Sequence, residues 1–194
     1  MKFLRVTCCL FIFLLSLVAF AFVAVHPAAA QGLNPPPPPG ATCHTTGQGT
    51  ICQGSVPFSD VNADIGVPSC GSCQVLESAT YTIGFIFSYN QEGNVTQEFS
   101  HTRVVGTLSN SVTGTSVPEE AHFTVTETFA TPGDFSTVTL TNTGQQFHVS
   151  LPGSGLILLD VGKVVFAPDG TITFESGPHQ VLDNQVQELC AALS

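Results

Sequence analysis

Apolar residues at every second position constrain this chain more than any other feature. Tyr81, Ile83, Phe85, Phe87 and Tyr89 fall on one side of an extended segment. Ala121, Phe123, Val125 and Phe129 do the same, with His122, Thr124, Thr126 and Thr128 on the other side. A repeat of two is the period of a half-buried β-strand, and a helix cannot satisfy it. Turn residues punctuate the repeat. Asp169-Gly170 supplies the positive φ angles of a tight hairpin between strands expected at 156–167 and 171–175. The segment 90–93 joins 81–89 to 95–105, and Pro132-Gly133-Asp134 joins 121–129 to 135–140. Asn142-Thr143-Gly144 turns or bends the chain before 146–151, and an early strand covers 50–58. About eight strands joined by short turns predict an all-β fold, an antiparallel up-and-down barrel, with a two-sheet β-sandwich as the alternative. The segment 181–193 lacks Gly and Pro. Its Val181, Val186, Leu189, Cys190 and Leu193 suit one side of a short C-terminal helix.

The N-terminus carries an export pattern. Lys2 and Arg5 precede a mostly apolar run at 6–25, and Ala28-Ala29-Ala30 places small residues before Gln31. These are the three parts of a secretory signal peptide, expected at 1–30 and removed after Ala30. The expected location is secreted or extracytoplasmic. The run is also long enough to span a bilayer, which takes about 20 residues, so an N-terminal membrane anchor is the alternative. After cleavage no stretch of spanning length remains. Five consecutive prolines, Pro35 to Pro39, suit neither a helix nor a sheet interior. They make 31–42 a spacer before a single β domain at 43–194. A domain of roughly 150 residues can bury a core without a structural metal.

Charge is sparse and one-sided. All 14 acidic residues follow the export pattern, but only Arg103 and Lys163 of the four basic ones do. This balance lacks a basic nucleic-acid footprint and argues against attraction to anionic lipid.

Three stretches carry a resemblance. They are Ala121-His122-Phe123-Thr124-Val125; Gln145-Gln146-Phe147-His148-Val149; and the hairpin 162–174, which is followed by Gly177-Pro178-His179. Over about residues 80–180 the chain resembles uncharacterised secreted bacterial all-β proteins. The resemblance implies a compact antiparallel barrel or sandwich and no particular activity.

Five cysteines follow the export pattern: Cys43, Cys52, Cys70, Cys73 and Cys190. An odd number leaves at least one unpaired within a monomer. The expected bridges are Cys43–Cys52, closing a small loop, and Cys70–Cys73, a local clasp. Cys73–Cys190 is the runner-up, because it would tie the C-terminal helix to the domain. A redox role for Cys70-Gly71-Ser72-Cys73 is disfavoured, since Pro68 precedes it and a strand rather than a helix follows. Zinc bound by Cys43, His44, Cys52, Cys70 or Cys73 is disfavoured for an exported chain, where a disulfide is the expected fate. Asp60-Val61-Asn62-Ala63-Asp64 begins like a calcium loop. It has Ile65 where the sixth-position Gly belongs and Gly71 where the closing Glu belongs, so an Asx-rich turn is expected. No metal or cofactor is expected.

Polar residues on apolar strand faces form the one candidate cluster. His101 and Arg103 share a face with Phe99 and Val105, Glu127 shares the Phe123–Phe129 face, and Asp160 interrupts an apolar strand. If those faces are buried, Arg103 must pair with Glu127 or Asp160. The four residues would then form an internal ion pair or lie at a barrel end, or form the polar base of a small-ligand cavity, or supply His101 and Glu127 as an acid–base pair. No nucleophile elbow, phosphate loop or metalloprotease helix occurs. The expected function is therefore non-catalytic binding or association with the cell envelope. The partner would be a small molecule or a surface component, and the chain a monomer. A barrel enzyme or carrier for a small apolar molecule is the alternative.

Overall fold

The computed structural model describes residues 32–194, and the export pattern at 1–30 lies outside them. Eight strands follow one another: β1 (Thr42–Thr46), β2 (Gly49–Ala63), β3 (Val75–Tyr89), β4 (Val95–Asn110), β5 (Ser116–Phe129), β6 (Val138–Leu151), β7 (Gly155–Phe166) and β8 (Ile172–Ser176). Each pairs antiparallel with its sequence neighbours, so the sheet order is the chain order, as the turns predict. The end strands β1 and β8 are short and are not hydrogen-bonded to each other. A single helix turn and a half, α1 (Gln187–Ala192), follows near the C-terminus.

Residues directly opposite on antiparallel strands project to the same side of a sheet. The register therefore traces one face across the strands: Tyr81, Val104 and Ala121 in one row, Phe85, Ser100, Val125, Asn142 and Val164 in another. This is the core face. At one end Val75, Leu108, Val117, Val149 and Leu158 are covered by Val186, Leu189 and Leu193, the apolar side expected of the C-terminal segment. At the other end Cys52, Phe85, Phe87, Tyr89, Val95, Phe129 and Val138 cluster, with Leu33 and Ala41 packed against them. The proline-rich stretch is thus held to the sheet. Asn34 donates to the Gly93 carbonyl at 2.7 Å and accepts from the Val95 N–H at 2.9 Å. The Tyr89 hydroxyl donates to the Pro35 carbonyl at 3.0 Å.

Two local details depart from the sequence reading. The chain does not turn at residues 142–144; β6 runs straight through and is irregular only around 145–147. Gly144 sits at φ 122° opposite Gly162, and a Cβ there would stand 2.6 Å from the His122 carbonyl oxygen. The two glycines let neighbouring backbones approach where a side chain would block them. The second departure is a bulge at the start of β4. Tyr89 pairs with Val95 but Ser88 pairs with Gln97, so Thr96 is an extra residue. Its hydroxyl donates to the Ser88 carbonyl at 3.0 Å. One extra residue turns every later side chain of the strand to the other face.

Candidate functional site

That bulge scatters the predicted cluster. Without it, Phe99, His101 and Arg103 would oppose Phe85, Ile83 and Tyr81 on the core face. With it, they oppose Ile86, Gly84 and Thr82 on the outer face, where His101 and Arg103 are exposed. Glu98, Ser100, Thr102 and Val104 face the core instead. Arg103 is therefore not the buried cation expected, and neither Glu127 nor Asp160 is its partner. His101 and Glu127 lie on opposite faces and cannot act as an acid–base pair.

Glu127 does face inward, as expected, and its opposite number on β4 is Glu98. Burial first, and then the Glu127 charge, pushes the Glu98 pKa up to about 8. Burial likewise raises Glu127. A second carboxyl pair, which the sequence reading missed, lies on the same face nearer α1. Glu77 on β3 is 3% exposed and Glu119 on β5 is 1% exposed. Burial raises both pKa values, and the two side chains interact with each other. Tyr81 donates a hydrogen bond to Glu77 Oε2, while neither Glu119 oxygen meets a donor hydrogen. A proton on one of the two relieves the repulsion that two bare carboxylates would have in a dry site. Asp60 on β2 adds its charge to the rise at Glu77.

Asp160 is buried, as expected, but its partner is His179, at 2.9 Å. Asp160 also accepts the Val181 N–H at 3.0 Å, and the other ring nitrogen of His179 lies 3.1 Å from the Ser176 carbonyl. Burial alone would lower the His179 pKa. The Asp160 hydrogen bond and charge, the Ser176 carbonyl and the Glu175 charge outweigh it and raise the value. An imidazolium donating from both nitrogens fits both acceptors. This pair pins the segment after β8 along β7, where Val161 also donates to the Pro178 carbonyl at 2.9 Å.

The outer face carries the opposite chemistry. Arg103 is directly opposite His122, and His101 shares a row with Thr124, Thr143 and Lys163. His148 is opposite Glu120 one row further on. Among the described residues, this face of β4–β7 therefore holds Arg103 and Lys163, three histidines and one carboxylate, Glu120. Exposed Ile86, Phe99 and Val105 lie beside them. The His101 and His122 Nε2 atoms are 2.8 Å apart.

The cysteines divide differently from the expectation at one of two bridges. Cys43–Cys52 forms across β1 and β2, whose register places the two residues opposite each other. Cys70 pairs with Cys190 of α1, and Cys73 is a buried free thiol, so both Cys70–Cys73 and Cys73–Cys190 are corrected. Cys70 and Cys73 do meet, but through their backbones: each N–H donates to the other's carbonyl, at 3.0 and 3.2 Å. The Cys73 thiol donates to the Cys70 carbonyl at 3.1 Å. The turn is closed by hydrogen bonds, leaving the Cys70 sulfur to Cys190. An open cleft of about 550 Å³ lies beside this bridge, lined in part by Asn110, Val186 and Ser194. The Asp60–Asp64 stretch ends β2 with an Asx turn, in which Asp64 accepts the Gly66 N–H at 3.0 Å.

Among the described residues no cluster of three or more His, Cys, Asp or Glu is arranged to hold a metal, and no helix is long and apolar enough to cross a membrane. Comparison with family models, curated proteins and solved structures finds no match to this chain.

Proposed function

We propose that this chain is an exported, non-catalytic binding domain, and that the outer face of β4–β7 is its recognition surface for an anionic component of the cell envelope. The single observation that carries the reading is the partition of charge. Both lysine and arginine residues of the described chain, with three histidines, share one face of the sheet, while Glu77, Glu98, Glu119, Glu127 and Asp160 lie on the other. Exposed Phe99 and Val105 add apolar contact beside the Arg103 fork, a combination common at binding surfaces. The overall acidic balance does not oppose this, because charges separated by more than about 8 Å are screened at physiological salt. The N-terminal export pattern and the two disulfides support an extracytoplasmic site of action.

The test is binding of the mature chain to immobilised polymers bearing carboxylate, phosphate or no charge. Retention by the charged polymers, weakened by salt and by Arg103→Ala with Lys163→Ala, is expected. Equal retention on the uncharged polymer contradicts the reading.

A small apolar ligand on the core face is the second reading. What favours it is the incomplete cover over Val56, Phe58, Ile83, Phe123 and Val125 on the core face, beside the small buried cluster of Ala79, Val104 and Ala121. A fluorescent apolar probe displaced by Ile83→Glu would support it.

A further inference from the structure

The geometry points to a binding site for a borderline divalent transition metal at the His101–His122 pair on the outer face. His101 lies on β4 and His122 on β5, one register step apart on the diagonal, since His101 opposes Thr124 and Arg103 opposes His122. Both side chains are exposed. Their rings stand nearly perpendicular, at 86°, with centroids 4.5 Å apart, and the two Nε2 atoms converge to 2.8 Å.

Two imidazole nitrogens bound to one metal at about 2.0–2.1 Å, near tetrahedral or square-planar angles, lie roughly 3 Å apart. The Nε2 separation therefore matches that of a two-imidazole chelate to within a few tenths of an ångström, and a turn of the exposed rings aims both lone pairs at one ion. Both strands are flanked by paired neighbours, β3 on one side and β6 on the other, so the two Cα positions are fixed by hydrogen bonds on both edges. A site on rigid elements loses little ordering entropy when it binds.

In the metal-free pair one Nε2 carries a hydrogen and donates it to the other. Binding needs both Nε2 lone pairs, so that hydrogen moves to Nδ1 of the same ring through solvent, with no net change of protonation. Imidazole ligands select copper, nickel and zinc over calcium or magnesium, and copper(II) binds tightest in the first-row order. No third histidine, cysteine or carboxylate joins the pair among the described residues. The remaining coordination positions face solvent and belong to water. Arg103, opposite His122, opposes the metal's charge, so affinity is that of a two-ligand surface site rather than a structural zinc centre.

The test is a copper(II) titration of the mature chain followed by electron paramagnetic resonance. The expected result is one site per chain whose spectrum shows coupling to two equivalent imidazole nitrogens. His101→Ala and His122→Ala should each weaken binding by about tenfold or more, while His44→Ala and His148→Ala leave the spectrum unchanged. Melting curves of all four variants check that the fold is retained, which exposed positions permit. A two-nitrogen spectrum that survives His101→Ala, or a chain that shows no two-nitrogen site, overturns the assignment. The readout needs no anionic partner, so it stands or fails separately from the envelope-binding reading.

Discussion

The two faces of this sheet have opposite relations to charge. On the outer face Arg103, Lys163, His101 and His122 are exposed and His148 is half-buried, and an isolated charge in water costs little. On the core face Glu77, Glu119, Glu98 and Glu127 sit in pairs with no lysine or arginine beside them, and burial pushes the pKa of each upward, towards the neutral form. Asp160 shows the other solution to the same problem, a charged partner in His179. A buried acid is thus tolerated here in two ways, by neutralisation or by pairing, and only the second fixes a segment of chain in place. On the outer face neither Arg103 nor Lys163 pairs with a carboxylate among the described residues, and Lys163 lies over the Phe174 ring, 5.6 Å from its centroid.

The largest effect expected is from breaking the one paired acid. Asp160→Ala strands the His179 imidazolium and the Val181 N–H in a buried site, and should destabilise the fold by about 3–5 kcal/mol in chemical denaturation. A loss below about 1 kcal/mol would mean that the core face does not isolate this pair from water.

The next effect is on pH dependence. An acid whose pKa is raised by folding stabilises the fold below its unfolded value, and that stability is lost as pH rises through the folded value. For Glu98 the window runs from 4.5 to about 8. Glu77, Glu119, Glu127 and His179 shift in the same direction. Stability should therefore fall by on the order of a few kcal/mol between pH 5 and pH 9. A profile that rises over this range would show the core carboxylates to be ionised and solvated.

Glu119→Gln sharpens the point. The amide keeps the shape and supplies a donor towards Glu77 without needing a proton. It should raise stability by about 1–2 kcal/mol at pH 8 and leave it nearly unchanged at pH 4. The smallest effect is on the outer face. Arg103→Ala should change stability by no more than about 0.5 kcal/mol, because the residue is exposed and makes no ion pair with Glu127 or Asp160.

Most of the fold was legible in the sequence, because it is built from local pairs. Tyr81 to Tyr89 alternate correctly, the Asp169-Gly170 turn joins β7 to β8, and Cys43 and Cys52 are partners across one tight hairpin. The candidate cluster was not legible, and the reason is a single residue. Thr96 bulges out of β4 and inverts its faces, so apolar Phe99 and Val105 point outward while Glu98 and Thr102 point inward. No composition rule reveals this, because the buried side of β4 is no more apolar than its exposed side. Cys70–Cys190 escaped for another reason: the bridge spans 120 residues, and only the docking of α1 over the Leu108 and Val117 end brings the sulfurs together. His179 follows the hairpin in Gly177-Pro178-His179, and its pairing with Asp160 depends on the chain doubling back along β7.

Carbon-detected nuclear magnetic resonance of the glutamate side-chain carboxyls, followed from pH 4 to pH 10, tests the charge partition most directly. Glu98 should titrate with a midpoint near 8, and Glu77 and Glu119 should also ionise above the usual glutamate range. If all three carboxyls instead ionise together near their ordinary value of 4.5, the two faces do not differ in the way described.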